Sequence, residues 1–344
     1  MLKEFKGYKK GVDLGGWLSQ CDHQTATYEN FIKEEDFKII AGWGLDHVRV
    51  PVDYELVEDD QGAYLEGGFA YIQRAIDWCK KYGLNMILDL HKTYGYSFDD
   101  GYGENGFFEN EAFQERFYKL WEQFAKRFAS NRDMLSFELL NEVTDKEYGP
   151  IWNRISNTCI ERIRKIDANV TILIGGYWNN GVDAVKDLEP PHDEHIVYNF
   201  HCYEPILFTH QGAYWVKGMP VDYRISYKAP IGAYTEAIKK YIPMFMNDSV
   251  ANLNPNAPHT AEFFKKRFAE AVRVATERGV PLYCGEYGVI ELADPEDEVE
   301  WFKQIHEAFE EYGIGRAAWS YRGMDFGLID ARLDGVRDRL IPLL

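Results

Sequence analysis

Cysteine, basic charge and long apolar runs are all scarce in this chain of 344 residues, and each scarcity closes off a class of function. The five cysteines, at positions 21, 79, 159, 202 and 284, are odd in number and show no Cys-x-x-Cys spacing, so they outline neither a disulfide framework nor a zinc site. Four of them sit inside apolar periodic segments, where a free buried thiol is common. Lys and Arg number 38 against 56 Asp and Glu, a formal net charge of -18. Such a surface repels phosphates and anionic headgroups, so the expected partner is neither nucleic acid nor membrane but an uncharged or cationic molecule. No stretch is long and apolar enough to span a bilayer. The lysines Lys3, Lys6, Lys9 and Lys10 are not followed by the apolar segment of a secretory leader. The expected location is the cytoplasm as the chain stands, or outside the cell if a leader has been removed, and the expected state is a monomer.

What is present is core-forming material: 46% hydrophobic residues, 27% charged residues and no biased polar tract, which marks a folded globular protein. Length alone leaves one or two domains open, and pattern decides. Short apolar runs alternate with helical periodicity from end to end, as expected of one parallel sheet covered by helices. The candidate strands are residues 12–14, 47–50, 86–90, 135–140, 171–174, 196–200, 282–284 and 317–319. Between them lie faces such as Phe113, Phe117, Leu120, Trp121, Phe124 and Phe128, at three-or-four spacing. Asp294 before Pro295 reads as a helix cap, and Gly279 and Gly313 as helix stops. The prediction is α/β, a single (β/α)8 barrel over 1–344, with the long connection 202–259 forming an inserted subdomain.

Chemistry enters through the residues that end the apolar runs: Arg49, His91, Asn141 with Glu142, His201 with Tyr203, Glu286 and Trp319. In a parallel barrel these ends share one mouth, the face from which barrel enzymes work. Two carboxylates there suit acetal hydrolysis, in which one acid protonates the leaving oxygen and one carboxylate acts from the opposite side of the sugar. An arginine beside one carboxylate would keep it ionised as nucleophile, while a less well paired partner would keep its proton. Arg49 could equally be a structural partner of Asp89 or Glu286. Trp17, Tyr102, Trp178 and Trp215 fall in βα connections and could line a groove for successive sugar rings. The acidic run 294–300 reads as a solvated helix start. His91 and His201 lack His-x-His or His-Glu-x-x-His spacing, so no metal and no cofactor are expected.

The segments His47-Val-Arg49-Val-Pro51, Asp89-Leu-His91, Phe137-Glu-Leu-Leu-Asn141-Glu142, Phe200-His201-Cys-Tyr203, Gly285-Glu286-Tyr-Gly288 and Ala318-Trp319 resemble glycoside hydrolase family 5. The resemblance covers almost the whole chain and is greatest to compact bacterial cellulases with a subdomain inserted after strand six. It implies a (β/α)8 barrel, retaining β-glycosidase activity and no metal. Carried over position by position, it implies Glu142 as acid/base, Glu286 as nucleophile and Asn141 on the sugar 2-hydroxyl. It further implies Arg49 and Tyr203 holding the nucleophile, His91 contacting the same sugar, His201 beside the acid/base, and Trp319 under the ring. Val143 stands where many members have proline. The expected substrate is a β-linked polysaccharide or oligosaccharide, foremost β-1,4-glucan cut internally. A mannanase, a xyloglucanase or an exo-β-1,3-glucosidase would keep the same residues. Two other classes remain: a metal-dependent hydrolase, which a chelator would inactivate, and a silent sugar-binding barrel, which would bind without turnover.

Overall fold

The computed structural model describes residues 2–99, 106–248 and 254–344. Eight parallel strands close into a barrel in chain order, so the first pairs with both the second and the last. They are β1 (Lys10–Asp13), β2 (His47–Asp53), β3 (Asn85–Lys92), β4 (Leu135–Glu138), β5 (Ile172–Gly175), β6 (Ile196–Cys202), β7 (Leu282–Tyr287) and β8 (Gly315–Ala318). Each contains or overlaps one of the apolar runs read from the sequence.

Alternation along the strands sorts two environments. Val48, Val50 and Val52 of β2, like Met86, Leu88 and Leu90 of β3, belong to the large core shared with the surrounding helices. The alternate residues form the barrel interior. At its amino end Ile87, Leu173, Val197, Tyr283 and Ala317 make an apolar plug with Tyr8, backed by Phe5, whose ring stacks on Tyr8 at 4.1 Å. Two residues further along β3 and β6 the interior turns polar: Ile87 gives way to Asp89 and then His91, Val197 to Asn199 and then His201. On these two strands a period-two step leads from sealed core to chemistry.

The covering helices follow the expected signals. Phe117, Leu120, Trp121, Phe124 and Phe128 are buried on the helix Glu111–Phe128. Asp294 caps Pro295–Tyr312, its Oδ1 accepting from Glu296 N at 2.9 Å, and Gly279 and Gly313 end their helices at φ 67° and 72°. The acidic run 294–300 is not a solvated face throughout: Glu298 is fully buried against Arg332, and Asp297 Oδ2 accepts from Tyr227 N at 2.9 Å. Burial pushes the Glu298 carboxyl up to about 7. The crossover from β5 to β6 holds only the short turns Tyr177–Asn180 and Val182–Asp187. The connection after β6 carries the short helices Ile206–Thr209 and Ile231–Tyr241, which pack Leu207, Phe208 and Ile238 into the main core. All five cysteines are free thiols. Among the described residues no helix is long and apolar enough to cross a membrane.

Candidate active site

Arg49, fully buried at the centre of the barrel mouth, organises the site. Its Nε and Nη2 donate to the two oxygens of Glu138 at 2.7 and 3.0 Å, and Nη2 also reaches Asn141 Oδ1 at 2.8 Å and Asp89 Oδ2 at 3.0 Å. Nη1 donates to Asp13 at 3.1 Å and to Glu286 Oε1 at 2.8 Å. Burial alone would lower its basicity, but the four surrounding carboxylates hold it well above the ordinary arginine value. One cation cannot balance four anions. Burial raises Asp13, Asp89 (to about 7) and Glu138, with Arg49 opposing each rise, so the surplus of negative charge is eased where these buried carboxyls bind protons more readily.

The two candidate catalytic glutamates are held in different ways. Glu286 Oε1 accepts from Arg49 and its Oε2 from the Tyr203 hydroxyl at 2.9 Å, partners suited to an ionised carboxylate. Glu142 has no such cation in contact. Its Oε1 lies 2.7 Å from His201 Nδ1 and its Oε2 accepts from Asn179 Nδ2 at 2.7 Å. Burial raises the Glu142 carboxyl, against the lowering effects of Asn179, His91 and Arg49. Burial lowers His201 to about 4, so the ring is neutral near pH 7. A carboxylate oxygen of Glu142, a ring nitrogen of His201 and a carboxylate oxygen of Glu286 all lie within 4.8 Å of one another.

Around this pair, Asn141 keeps its Oδ1 on Arg49 while its buried Nδ2 has no hydrogen-bond partner. His91 is oriented by Asp89 (Nδ1 to Oδ2, 2.6 Å) and stacks on Trp319 with ring centroids 5.7 Å apart and planes at 4°. Gly15 makes room for that indole, since a Cβ there would meet Trp319 Cη2 at 2.6 Å. The backbone bearing Glu142 is pinned from the connection after β3: the Tyr96 hydroxyl donates to Glu142 O at 2.7 Å and accepts from Thr144 N at 2.9 Å.

Among the described residues, two groups have ligand spacing for a cation. The first is Glu142, His201 and Glu286, where the Arg49 guanidinium against Glu286 opposes a second positive charge. The second is His23, Asp53 and Glu55 at the rim. There His23 lies 3.3 Å from Asp53, whose hydrogen bond raises the imidazole to about 10, so the histidine itself supplies the cation.

Residues 9–325 match the model of the cellulase family, glycosyl hydrolase family 5. The chain belongs to that family. Among curated glycosyl hydrolase relatives, Cellodextrinase A of Ruminococcus flavefaciens is 45% identical over 316 residues, spanning 92% of this chain and 86% of that protein. Endoglucanase C of Acetivibrio thermocellus is 38% identical over 340 residues, 98% of each chain. The crystal structure of the clostridial cellulose synthase subunit Z from Clostridioides difficile has a TM-score of 0.77 at 26% identity, covering 98% of this chain and 99% of that one.

In this cellulase-family barrel, the eight strand-end residues expected from the sequence, Arg49, His91, Asn141, Glu142, His201, Tyr203, Glu286 and Trp319, meet at one mouth. The loop aromatics divide. Trp17 is corrected: it is fully buried, stacked on Trp78 at 6.0 Å with Nε1 donating to Tyr28 O, because its ring packs against Phe37 and Trp78 of the covering helices. Trp178 and Trp215 are 50% and 44% exposed, and Tyr102 lies outside the described residues. Sequence reading missed Asp13, Glu138, Tyr96 and Asn179. Glu138 was visible as a carboxylate interrupting an apolar strand, and Asn179 as part of a Trp-Asn-Asn-Gly run directly after β5.

Proposed function

We propose that the protein hydrolyses β-1,4-linked glucan by double displacement with retention of configuration, with Glu286 as nucleophile and Glu142 as acid/base. The observation carrying this reading is the approach of the two carboxyl groups to within 4.8 Å at their nearer ligand atoms. A covalent mechanism uses carboxyls about 5–5.5 Å apart, whereas inverting enzymes leave about 6.5–9.5 Å for a water. Glu286 attacks the anomeric carbon as Glu142 gives its proton to the departing oxygen. Water then loses a proton to Glu142 while displacing Glu286. Asn141 Nδ2 is available to the 2-hydroxyl, where a hydrogen bond that strengthens as positive charge builds on the ring would assist both steps. Trp319 supplies an apolar face for the same sugar.

The relatives named for endoglucanase and cellodextrinase activity support β-1,4-glucan as substrate, either polymer or short soluble oligomer. The test is hydrolysis of mixed-linkage β-glucan, carboxymethylcellulose, mannan, xyloglucan, laminarin and cellodextrins by wild type and Glu286→Gln, with products sized and the first-formed anomer read by NMR. Cleavage of β-1,4-glucan to β-anomers, lost in the variant, is the expected result. Initial α-anomers would overturn retention, and preference for mannan or laminarin would overturn the substrate.

A further inference from the structure

Asn179 is exposed but reaches Glu142 from a loop rather than a strand end, and its backbone is unusual. Trp178, Asn179 and Asn180 adopt successive left-handed conformations, φ 53°, 53° and 54°. L residues enter this region at a cost, asparagine with less than most, and such strain persists where surrounding contacts enforce it. Three of the contacts that hold it come from the segment that bears Glu142, and Asn180 also lies 3.4 Å from His201 of β6. Trp178 N donates to Thr144 O and Asn179 N to Val143 O, both at 3.0 Å, and Asn180 Nδ2 donates to Asn141 O. Gly175 leaves the space that Asn180 fills. The turn is thus stapled on both sides of Glu142, and the outcome is the 2.7 Å contact from Asn179 Nδ2 to Glu142 Oε2.

Resting on the assignment of Glu142 as acid/base, we propose that Asn179 is a positioning residue for its proton, fixing the carboxyl plane and stabilising the carboxylate formed when the leaving oxygen is protonated. In the first step the Glu142 O–H bond breaks and its proton passes to the glycosidic oxygen. That oxygen keeps the electron pair of the broken C–O bond, while a Glu286 oxygen bonds the anomeric carbon. His201 Nδ1 occupies Oε1, so Oε2 presents the proton on one lone pair and accepts from Asn179 on the other. A hydrogen bond to a carboxylate is stronger than one to the neutral acid, so this contact gains strength as the proton leaves. The other titratable groups bearing on Glu142 are Arg49 from β2, Asp89 and His91 from β3, Tyr96 and Asp99 from the connection that follows, His201 from β6, Tyr203 directly after it, and Glu286 from β7. None lies in the 178–180 turn, so substitution at 179 leaves their charges in place.

The test compares Asn179→Gly, which accepts the left-handed backbone, and Asn179→Asp, which keeps the shape but replaces donor with acceptor. The readout is kcat/KM, which reports the bond-breaking step, on cellotetraose and on 2,4-dinitrophenyl β-cellobioside, whose leaving group needs no proton. For Asn179→Gly the expected loss on cellotetraose is about tenfold or more, the size of a lost hydrogen bond to a charged group, with the aryl substrate nearly unchanged. Loss of a donor to the charged form raises the acid's pKa, so the alkaline limb should move upward by about one pH unit, and further in Asn179→Asp. Equal losses on both substrates with an unmoved limb would overturn the proposal in favour of a purely structural role, and unchanged kinetics would overturn it outright. Glu142→Gln serves as reference. If it spares cellotetraose, the acid assignment falls and Asn179 with it; if it behaves as an acid variant while Asn179→Gly does not, only the role of Asn179 falls.

Discussion

Arg49 has its guanidinium fully committed, with Glu138, Asn141, Asp13, Asp89 and Glu286 around it. Lysine would keep the charge but offer a single point of donation in place of a planar fork. Arg49→Lys should therefore lower stability by about 1.5–3 kcal/mol for each charge-assisted hydrogen bond that lysine cannot replace, together with a large drop in kcat/KM. Urea unfolding and cellodextrin kinetics would check both, and wild-type stability would show that the cluster carries protons enough to do without the arginine. The pH profile belongs to this scale too. Because burial raises Glu142 and holds His201 neutral above about 4, the alkaline limb should be that of the glutamate. His201→Asn should retain a bell with both limbs, and disappearance of the alkaline limb would identify the imidazole as the acid. Single residues were legible where they end an apolar strand, because there position and chemistry coincide. Trp17 was misread because an aromatic in a connection has the same local sequence whether it faces a groove or a core, and only the fold of the β1 connection decides.

At the scale of elements, the eight strands were legible but their carboxyl ends were not. The apolar run of β6 stops at Phe200, while its ladder continues through His201 and Cys202 to pair with Glu286 and Tyr287. Hydrogen bonding ignores side-chain polarity, whereas sequence reading depends on it, so strand ends are lost where the site begins. Between β5 and β6 the chain makes only two short turns, Tyr177–Asn180 and Val182–Asp187. Packing sets other limits. Gly68, on the helix Glu66–Tyr82, lies against the Leu56 carbonyl, and a Cβ would intrude on that oxygen. Alanine gains about 1 kcal/mol in helix propensity over glycine, but overpacking costs about 1–3 kcal/mol, so Gly68→Ala should destabilise. A urea midpoint at or above wild type would show that the helix shifts to make room. Loss of the Asp294 cap in Asp294→Ala should cost about 1 kcal/mol by the same measurement.

For the whole molecule, the net charge of -18 has a consequence in the choice of polymer. A neutral glucan is indifferent to it, while carboxymethylcellulose is repelled, and salt screens that repulsion over a Debye length of about 10 Å at 0.1 M. Raising sodium chloride should increase kcat/KM on carboxymethylcellulose and leave mixed-linkage glucan almost unaffected. An equal response from both would rule out charge as the cause. The division between ring and loops bears on how the scaffold can change over generations. Beyond its first residues the β6 connection leaves the catalytic pair to others, so its exposed parts, outside the helices that pack into the core, are free to vary in length as substrates shift. The β5 connection has no such licence: a turn stapled to the residues on either side of the acid by two backbone hydrogen bonds and one from the Asn180 side chain transmits any insertion straight to the proton, and descent should prune it while its neighbour drifts.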